Sequence, residues 1–142
     1  MANVNRLRER MKADGVDAVL VLNELNQHYL SDFAFTDGFL FITHANAYLV
    51  TDFRYYEMAV NGADKTFEIL TPEKRTEFIK DAIKKDDVKR IGFEGGTISF
   101  DHYTAYRKNF PDVEWVTIGD AIEEIRQIKT PQEIEYMQKA QN

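Results

Sequence analysis

The chain has 142 residues, 44% of them hydrophobic and 13% aromatic, with a net charge of −6; this is the length of one domain, with apolar side chains enough to fill its core. The lack of cysteine excludes disulfide frameworks, thiolate metal sites and cysteine nucleophiles, and it suits a cytoplasmic protein. With 18 Lys and Arg against 24 Asp and Glu, no counterion-releasing basic face is available and nucleic acid is not expected as a partner. The longest apolar run is residues 18–22, so no membrane span is expected, and the charged start around Arg6, Arg8, Glu9 and Arg10 lacks the pattern of a signal peptide.

Val4, Leu7 and Met11 recur at spacings of three and four between basic residues, which predicts an amphipathic helix stopped at Gly15. Residues 17–22 read as a strand covered on both faces. Residues 23–31 are polar with Leu25, Tyr29 and Leu30 as apolar punctuation, consistent with one or two helical turns. Two β-prone runs, 39–43 and 47–51, are joined by His44-Ala45-Asn46 and read as a β-hairpin. A helix over 52–61 closed by Gly62 and a strand over 66–70 follow. Thr71-Pro72 then has the form of an N-cap and first-turn proline for a helix with Phe78, Ile79, Ala82 and Ile83 on one face. A strand at 88–93, a helix starting at Ser99 or Asp101, a strand at 113–118 and a helix over 120–127 continue the alternation.

That alternation predicts an α/β fold: a mixed, largely parallel central sheet carrying one antiparallel hairpin, with helices on both faces. Thr130-Pro131-Gln132-Glu133 is a capping box that opens a further helical stripe through Ile134 and Met137, and no stop signal follows it. The expected division is therefore a domain over 1–129 and, over 130–142, the start of a helix leading into a domain beyond. A terminal helix that needs no stop signal is the other reading of the same residues.

Little in the spacing points to chemistry. His28, His44 and His102 fall in separate elements, and none forms His-x-x-x-His or His-Glu-x-x-His. The pairs Asp86-Asp87 and Glu123-Glu124 read as solvated faces, and His44 as a surface or locally bonded histidine. Gly92-Phe93-Glu94-Gly95-Gly96-Thr97 matches neither glycine-rich phosphate motif and reads as a turn. Thr51-Asp52-Phe53-Arg54-Tyr55 is the densest polar cluster: Asp52 can cap the next helix, and Arg54 can either pair with a neighbouring acid or offer its donors to a carboxylate. Phe33, Phe35 and Phe39 around Thr36-Asp37-Gly38 fit either a core flanking a turn or an apolar contact surface.

Several segments recur together in one known frame. Arg6 to Gly15 with the Val16-Asp17-Ala18-Val19-Leu20-Val21 run, Tyr29-Leu30-Ser31-Asp32-Phe33, Thr51-Asp52-Phe53-Arg54-Tyr55, Ile91-Gly92-Phe93-Glu94 and the closing Ile125-Arg126-Gln127-Ile128-Lys129-Thr130-Pro131-Gln132-Glu133-Ile134 resemble the N-terminal domain of the creatinase/prolidase group, the Xaa-Pro dipeptidases and Xaa-Pro aminopeptidases. The resemblance spans essentially the whole chain. It implies a C-terminal catalytic domain in which two Asp, one His and two Glu hold two divalent ions (manganese, cobalt or zinc) that activate water against the bond before proline. None of those ligands belongs to the N-terminal part, so no metal or other cofactor is expected within this chain.

The resemblance further implies a homodimer in which N-terminal loop residues stand beside the partner subunit's active site and restrict it to proline-containing dipeptides or short peptides. The candidates for this gating or interface role are Phe35, Thr36 and Asp37, with His28 and Arg54; no catalytic residue is expected. Two departures stand out. Asp32 occupies a position where the family more often has glycine, and no arginine lies in residues 35–38, where creatinase binds its substrate carboxylate, which disfavours creatine as substrate. A free-standing α/β module binding a small acid or a protein remains the alternative.

Overall fold

The computed structural model describes residues 3–94 and 98–127. Of the turn read at 92–97, residues 95–97 lie outside them, as does the capping box with its helix over 130–142; Gly92 and Phe93 belong to a strand instead. The first amphipathic stripe forms α1 (Asn3–Asp14), with Val4, Leu7 and Met11 buried. Gly15, at φ 72°, ends it: the amides of Gly15 and Val16 reach back to the carbonyls of Lys12 and Met11, a turn that requires the left-handed backbone glycine tolerates.

The continuous apolar run becomes β1 (Ala18–Val21), fully buried. The hairpin forms as read, with β2 (Phe39–Thr43) and β3 (Ala47–Val50) paired antiparallel. The remaining strands are β4 (Glu68–Leu70), β5 (Arg90–Phe93) and β6 (Glu114–Thr117). One six-stranded sheet results, in the order β4-β3-β2-β1-β5-β6. Strand β2 is antiparallel to both its neighbours, whereas β3–β4, β1–β5 and β5–β6 pair parallel. Five strands thus share a direction and a single one is reversed, the mixed sheet that the sequence predicts.

Both faces are covered. Val19 and Val21, Leu40 and Ile42, and Leu49 point to the side where α1, α2 (Glu24–Ser31), α3 (Phe53–Gly62) and α6 (Ala121–Gln127) supply Leu30, Ala59, Ile122 and Ile125. Ala18, Leu20, Phe39, Phe41 and Val50 point to the other, against α4 (Arg75–Lys85) and α5 (Phe100–Asn109). The period of two along each strand sorts these side chains, and double cover explains why β1 and β2 read as unbroken apolar runs.

Helix α2 forms as read, about two turns over eight residues, started by Asn23, whose side chain accepts from the Asn26 amide, and ended by Asp32 in the left-handed region at φ 56°. One helix start differs from the sequence reading. Helix α4 starts at Arg75 rather than at Thr71-Pro72, with Lys74 at the N-cap and no side-chain cap. The Thr51 amide bonds to the Leu70 carbonyl beyond the end of β3, prolonging the ladder, and Pro72 keeps Thr71 extended.

Candidate functional site at the carboxyl edge of the sheet

Strands β1 and β3 end at the same edge of the sheet, so the starts of α2 and α3 and the connection over 32–38 lie side by side there. This is the edge at which open α/β sheets place their ligand-contacting loops. The connection is fixed from within. Gln27, 1% exposed, donates from Nε2 to the carbonyls of Val21 (2.9 Å) and Gly38 (3.1 Å). Ser31 Oγ lies 2.7 Å from the Gln27 carbonyl and 3.2 Å from that of Phe33. At Gly38 a Cβ would fall 2.2 Å from the Val50 carbonyl oxygen and 2.7 Å from the Phe35 ring, so only glycine lets the chain pass this close to β3.

Phe35 is buried, 5% exposed, and stacks on Phe33 with ring centroids 6.0 Å apart. Its ring is a floor under the loop. The exposed groups are its neighbours: Thr36 Oγ1 lies 3.0 Å from the Tyr55 hydroxyl, and Asp37, at φ 58°, carries a carboxylate 3.3 Å from Arg54 Nη2. Asp52 caps α3 by accepting from the Arg54 amide at 2.9 Å, and it holds the Arg54 guanidinium at 2.6 Å and 3.1 Å. These bonds, the guanidinium first, keep the Asp52 carboxyl below the usual carboxylate range against the opposing effect of desolvation, and push Arg54 higher still. Both readings of the 51–55 cluster therefore meet: Asp52 is the cap, and Arg54 is tied to it while reaching Asp37.

His28 is exposed on α2 and lines a shallow hollow of about 290 Å³ together with Leu25, Phe35, Thr36 and Tyr55. The structure thus gathers three of the five candidates, His28, Phe35 and Thr36, around one hollow, while Asp37 lies on the other side of the loop, paired with Arg54. Large apolar side chains flank the same edge, Leu25 at 67% and Phe53 at 83% exposure.

The sequence reading missed the polar cluster that anchors this edge. Glu94, directly after β5, is 4% exposed and accepts from the amides of Leu22 (2.7 Å) and Asn23 (3.1 Å) and from Asn26 Nδ2. Asn26 Nδ2 also donates to Glu123 Oε1 (3.0 Å), and Asn26 Oδ1 accepts from Arg126 (2.9 Å). Glu123 is therefore no part of a solvated face; only its neighbour Glu124 is exposed, paired with Arg10 at 2.7 Å. Asp86 likewise accepts from Thr43 Oγ1 (2.7 Å) and Asn46 (2.9 Å) and braces the hairpin turn. The one signal for Glu94 was a lone acid ending an apolar strand. His44 is locally bonded, with Nε2 3.2 Å from the Val16 carbonyl.

Among the described residues no three His, Cys, Asp or Glu side chains gather in a way that could hold a metal ion, and no helix is long and apolar enough to cross a membrane. This edge can hold and orient a polar group against an apolar floor; it contains no arranged nucleophile and base.

Comparison with known proteins places the whole arrangement. The uncharacterized peptidase YqhT of Bacillus subtilis is 30% identical over 140 residues, a match covering 96% of this chain and 39% of that protein. The Xaa-Pro dipeptidase of Bacillus anthracis superposes with a TM-score of 0.83 at 30% identity, over 94% of this chain and 37% of its own. The N-terminal domain of the cytoplasmic peptidase PepQ of Mycobacterium tuberculosis superposes with a TM-score of 0.78 at 26% identity, over 88% of this chain and 98% of its own. The chain thus spans about two fifths of the length of the curated relatives it matches. Its residues 3–128 match the family described as the creatinase/prolidase N-terminal domain, and to that family the chain belongs.

Proposed function

We propose that this chain is the non-catalytic N-terminal domain of a cytoplasmic Xaa-Pro metallopeptidase, a dipeptidase or aminopeptidase. In this reading residues 1–129 are the domain and 130–142 lead into its own C-terminal catalytic domain. Two divalent ions, manganese, cobalt or zinc, belong to that catalytic domain and supply the activation of water there; the described residues offer them no site. What this chain contributes is position. In a homodimer, Thr36, Asp37 and His28, with Arg54 holding Asp37, face the partner subunit's active site and limit it to proline-containing dipeptides and short peptides.

One observation carries this reading: the loop backbone is pinned at Gly38 by buried Gln27 and at Phe33 by buried Ser31, while the side chains of Thr36 and Asp37 between them are exposed, as are Leu25 and Phe53 at the same edge. A fixed loop with polar tips in an apolar surround can close over a proline ring and orient a charged terminus. Exposed aromatic and aliphatic anchors around it suit a surface that becomes covered on association.

The test is made on the full-length gene product. Asp37→Asn and Thr36→Ala should lower kcat/KM for Xaa-Pro substrates, or shift the preference between short and longer peptides, with metal content, dimer mass and melting temperature unchanged. Unaltered kinetics in both variants would refute the gating role. Manganese-dependent cleavage of Xaa-Pro dipeptides by the 142-residue chain alone would refute its non-catalytic character.

A further inference from the structure

The loop over 35–38 has a hollow on each side. The one opposite His28 lies between the loop and helices α4 and α5, with a volume of about 350 Å³. Its apolar lining comes from Leu22, Phe39, Ile79 and Phe110, contributed by four separate elements. Arg75 stands in it, its guanidinium carbon 6.0 Å from the centre of the Phe39 ring. Stacking on an aromatic face fixes the plane of a guanidinium and leaves its edge of N–H donors free.

Among the described residues Arg75 has no hydrogen bond and no ion pair; it stacks on Phe39 and lies within the electrostatic reach of the Asp52 carboxylate, which Arg54 already holds. Three other arginines are paired, Arg54 with Asp52 and Asp37, Arg10 with Asp14 and Glu124, and Arg90 with Glu114; Arg107, like Arg75, has a ring contact alone, with Tyr103, and it does not line this hollow. Asp37, which also lines the hollow, is occupied by Arg54. An unpaired fork of donors over an apolar basin is complementary to a carboxylate carried on an apolar body.

We infer that this hollow binds the C-terminal carboxylate of a peptide ending in an apolar residue, with Arg75 receiving the carboxylate and the Leu22, Phe39, Ile79 and Phe110 side chains receiving the terminal side chain. A single unpaired guanidinium matches one negative charge, which favours a carboxylate over a phosphate dianion. A free amino acid carries the same carboxylate but brings an ammonium group, and the carboxylate nearest to receive it, Asp37, is engaged. Thr76 and Tyr106 complete the lining with neutral hydroxyl-bearing side chains. The site needs only this chain and no metal, so it stands or falls separately from the gating role.

The experiment follows the ¹⁵N-labelled 142-residue chain by NMR at neutral pH, with N-acetyl-leucine, N-acetyl-leucinamide and free leucine as probes. The expected result is saturable shifts at the amides of Gly38, Phe39, Thr76 and Ile79 with N-acetyl-leucine and at least tenfold weaker binding of the amide, which differs only in charge. Arg75→Gln should weaken N-acetyl-leucine at least tenfold, and Arg75→Lys should restore part of the loss. The acid–amide comparison is made on the unaltered chain, so it decides the matter even if Arg75→Gln does not fold. Equal binding of acid and amide, shifts confined to other residues, or an Arg75→Gln chain that binds as the parent does would overturn the assignment. Free leucine binding as tightly as N-acetyl-leucine would also overturn it, by giving the site to a free amino acid.

Discussion

Removal of the Glu94 carboxylate tests whether the buried cluster anchors the carboxyl edge. Glu94 is 4% exposed and receives three donors: the amides of Leu22 at 2.7 Å and Asn23 at 3.1 Å, and the side-chain amide of Asn26. Glu94→Ala leaves all three without this acceptor. A buried donor deprived of its partner costs about 1–3 kcal/mol, and water reaching the partly buried amides recovers some of it, so the expected loss is about 3–5 kcal/mol. A domain's total stability is about 5–15 kcal/mol, so this is a large part of it. With a urea dependence of about 1–3 kcal/mol per molar, the midpoint followed by circular dichroism should fall by more than about 1 M. Glu94→Gln should cost less, about 1–2 kcal/mol, but not zero. Its amide group would meet the amide of Asn26, and Asn26 cannot turn over because its oxygen accepts from Arg126 and its nitrogen also donates to Glu123. A Glu94→Ala chain within about 1 kcal/mol of the parent, the size of an ordinary substitution, would refute the anchoring role.

Three further outcomes follow from the same geometry. Gly38→Ala should destabilise by at least about 2 kcal/mol in urea unfolding, near the upper end of overpacking costs, because the new methyl meets the backbone oxygen of Val50 rather than a movable side chain. Phe35→Ala should cost about 3–5 kcal/mol, the scale of an aromatic core truncation, while Asp37→Asn, which keeps a residue that tolerates the left-handed backbone there, should stay within about 0.5 kcal/mol; equal losses in thermal or urea unfolding would contradict the division of the loop into floor and tips. The Asp52 carboxyl, followed by ¹³C NMR, should titrate below the usual carboxylate range and rise toward it in Arg54→Gln, which keeps the backbone amide bond and the field of Arg75; since the folded value is the depressed one, what it contributes to stability is present above the unfolded-state value and lost as pH falls through the folded one.

The layered sheet was legible because its signals are local and repeated. Val4, Leu7 and Met11 mark one face of a helix, and the double-covered strands β1 and β2 appear as unbroken apolar runs. The start of α4 was misplaced because Thr71-Pro72 has the local chemistry of a helix start, while a bond from Thr51 across the sheet keeps the chain extended there. Glu123 was read as solvated because its partner Asn26 lies 97 residues away, a separation no local pattern carries. Glu94 joins three elements through backbone amides, which have no sequence signature at all. Asp32, read from the resemblance as standing in place of a glycine, occupies the left-handed conformation at φ 56°, which Asp tolerates better than most residues other than glycine.

Helix α2 connects these parts mechanically. Its buried side carries Asn26, held by Glu94, Glu123 and Arg126, and Gln27, which holds Gly38 and the end of β1. Its last residue, Ser31, bonds the Phe33 carbonyl in the connection that follows and, through its own carbonyl, the amide of Asp64. The position of residues 35–38 is thus set by polar contacts directed inward from α2, α6 and the strand ends, none of which uses the side chains of Thr36, Asp37 or His28. Substitutions at those three exposed positions can therefore alter what the edge recognises without moving the backbone that presents them. The same inward network ends at Arg126, one residue before the close of α6, so a displacement of that helix is transmitted through Asn26 to the start of α2. In the proposed gating role, exposed tips on a base fixed from within would let one scaffold be retuned for different substrates by changing the tips alone.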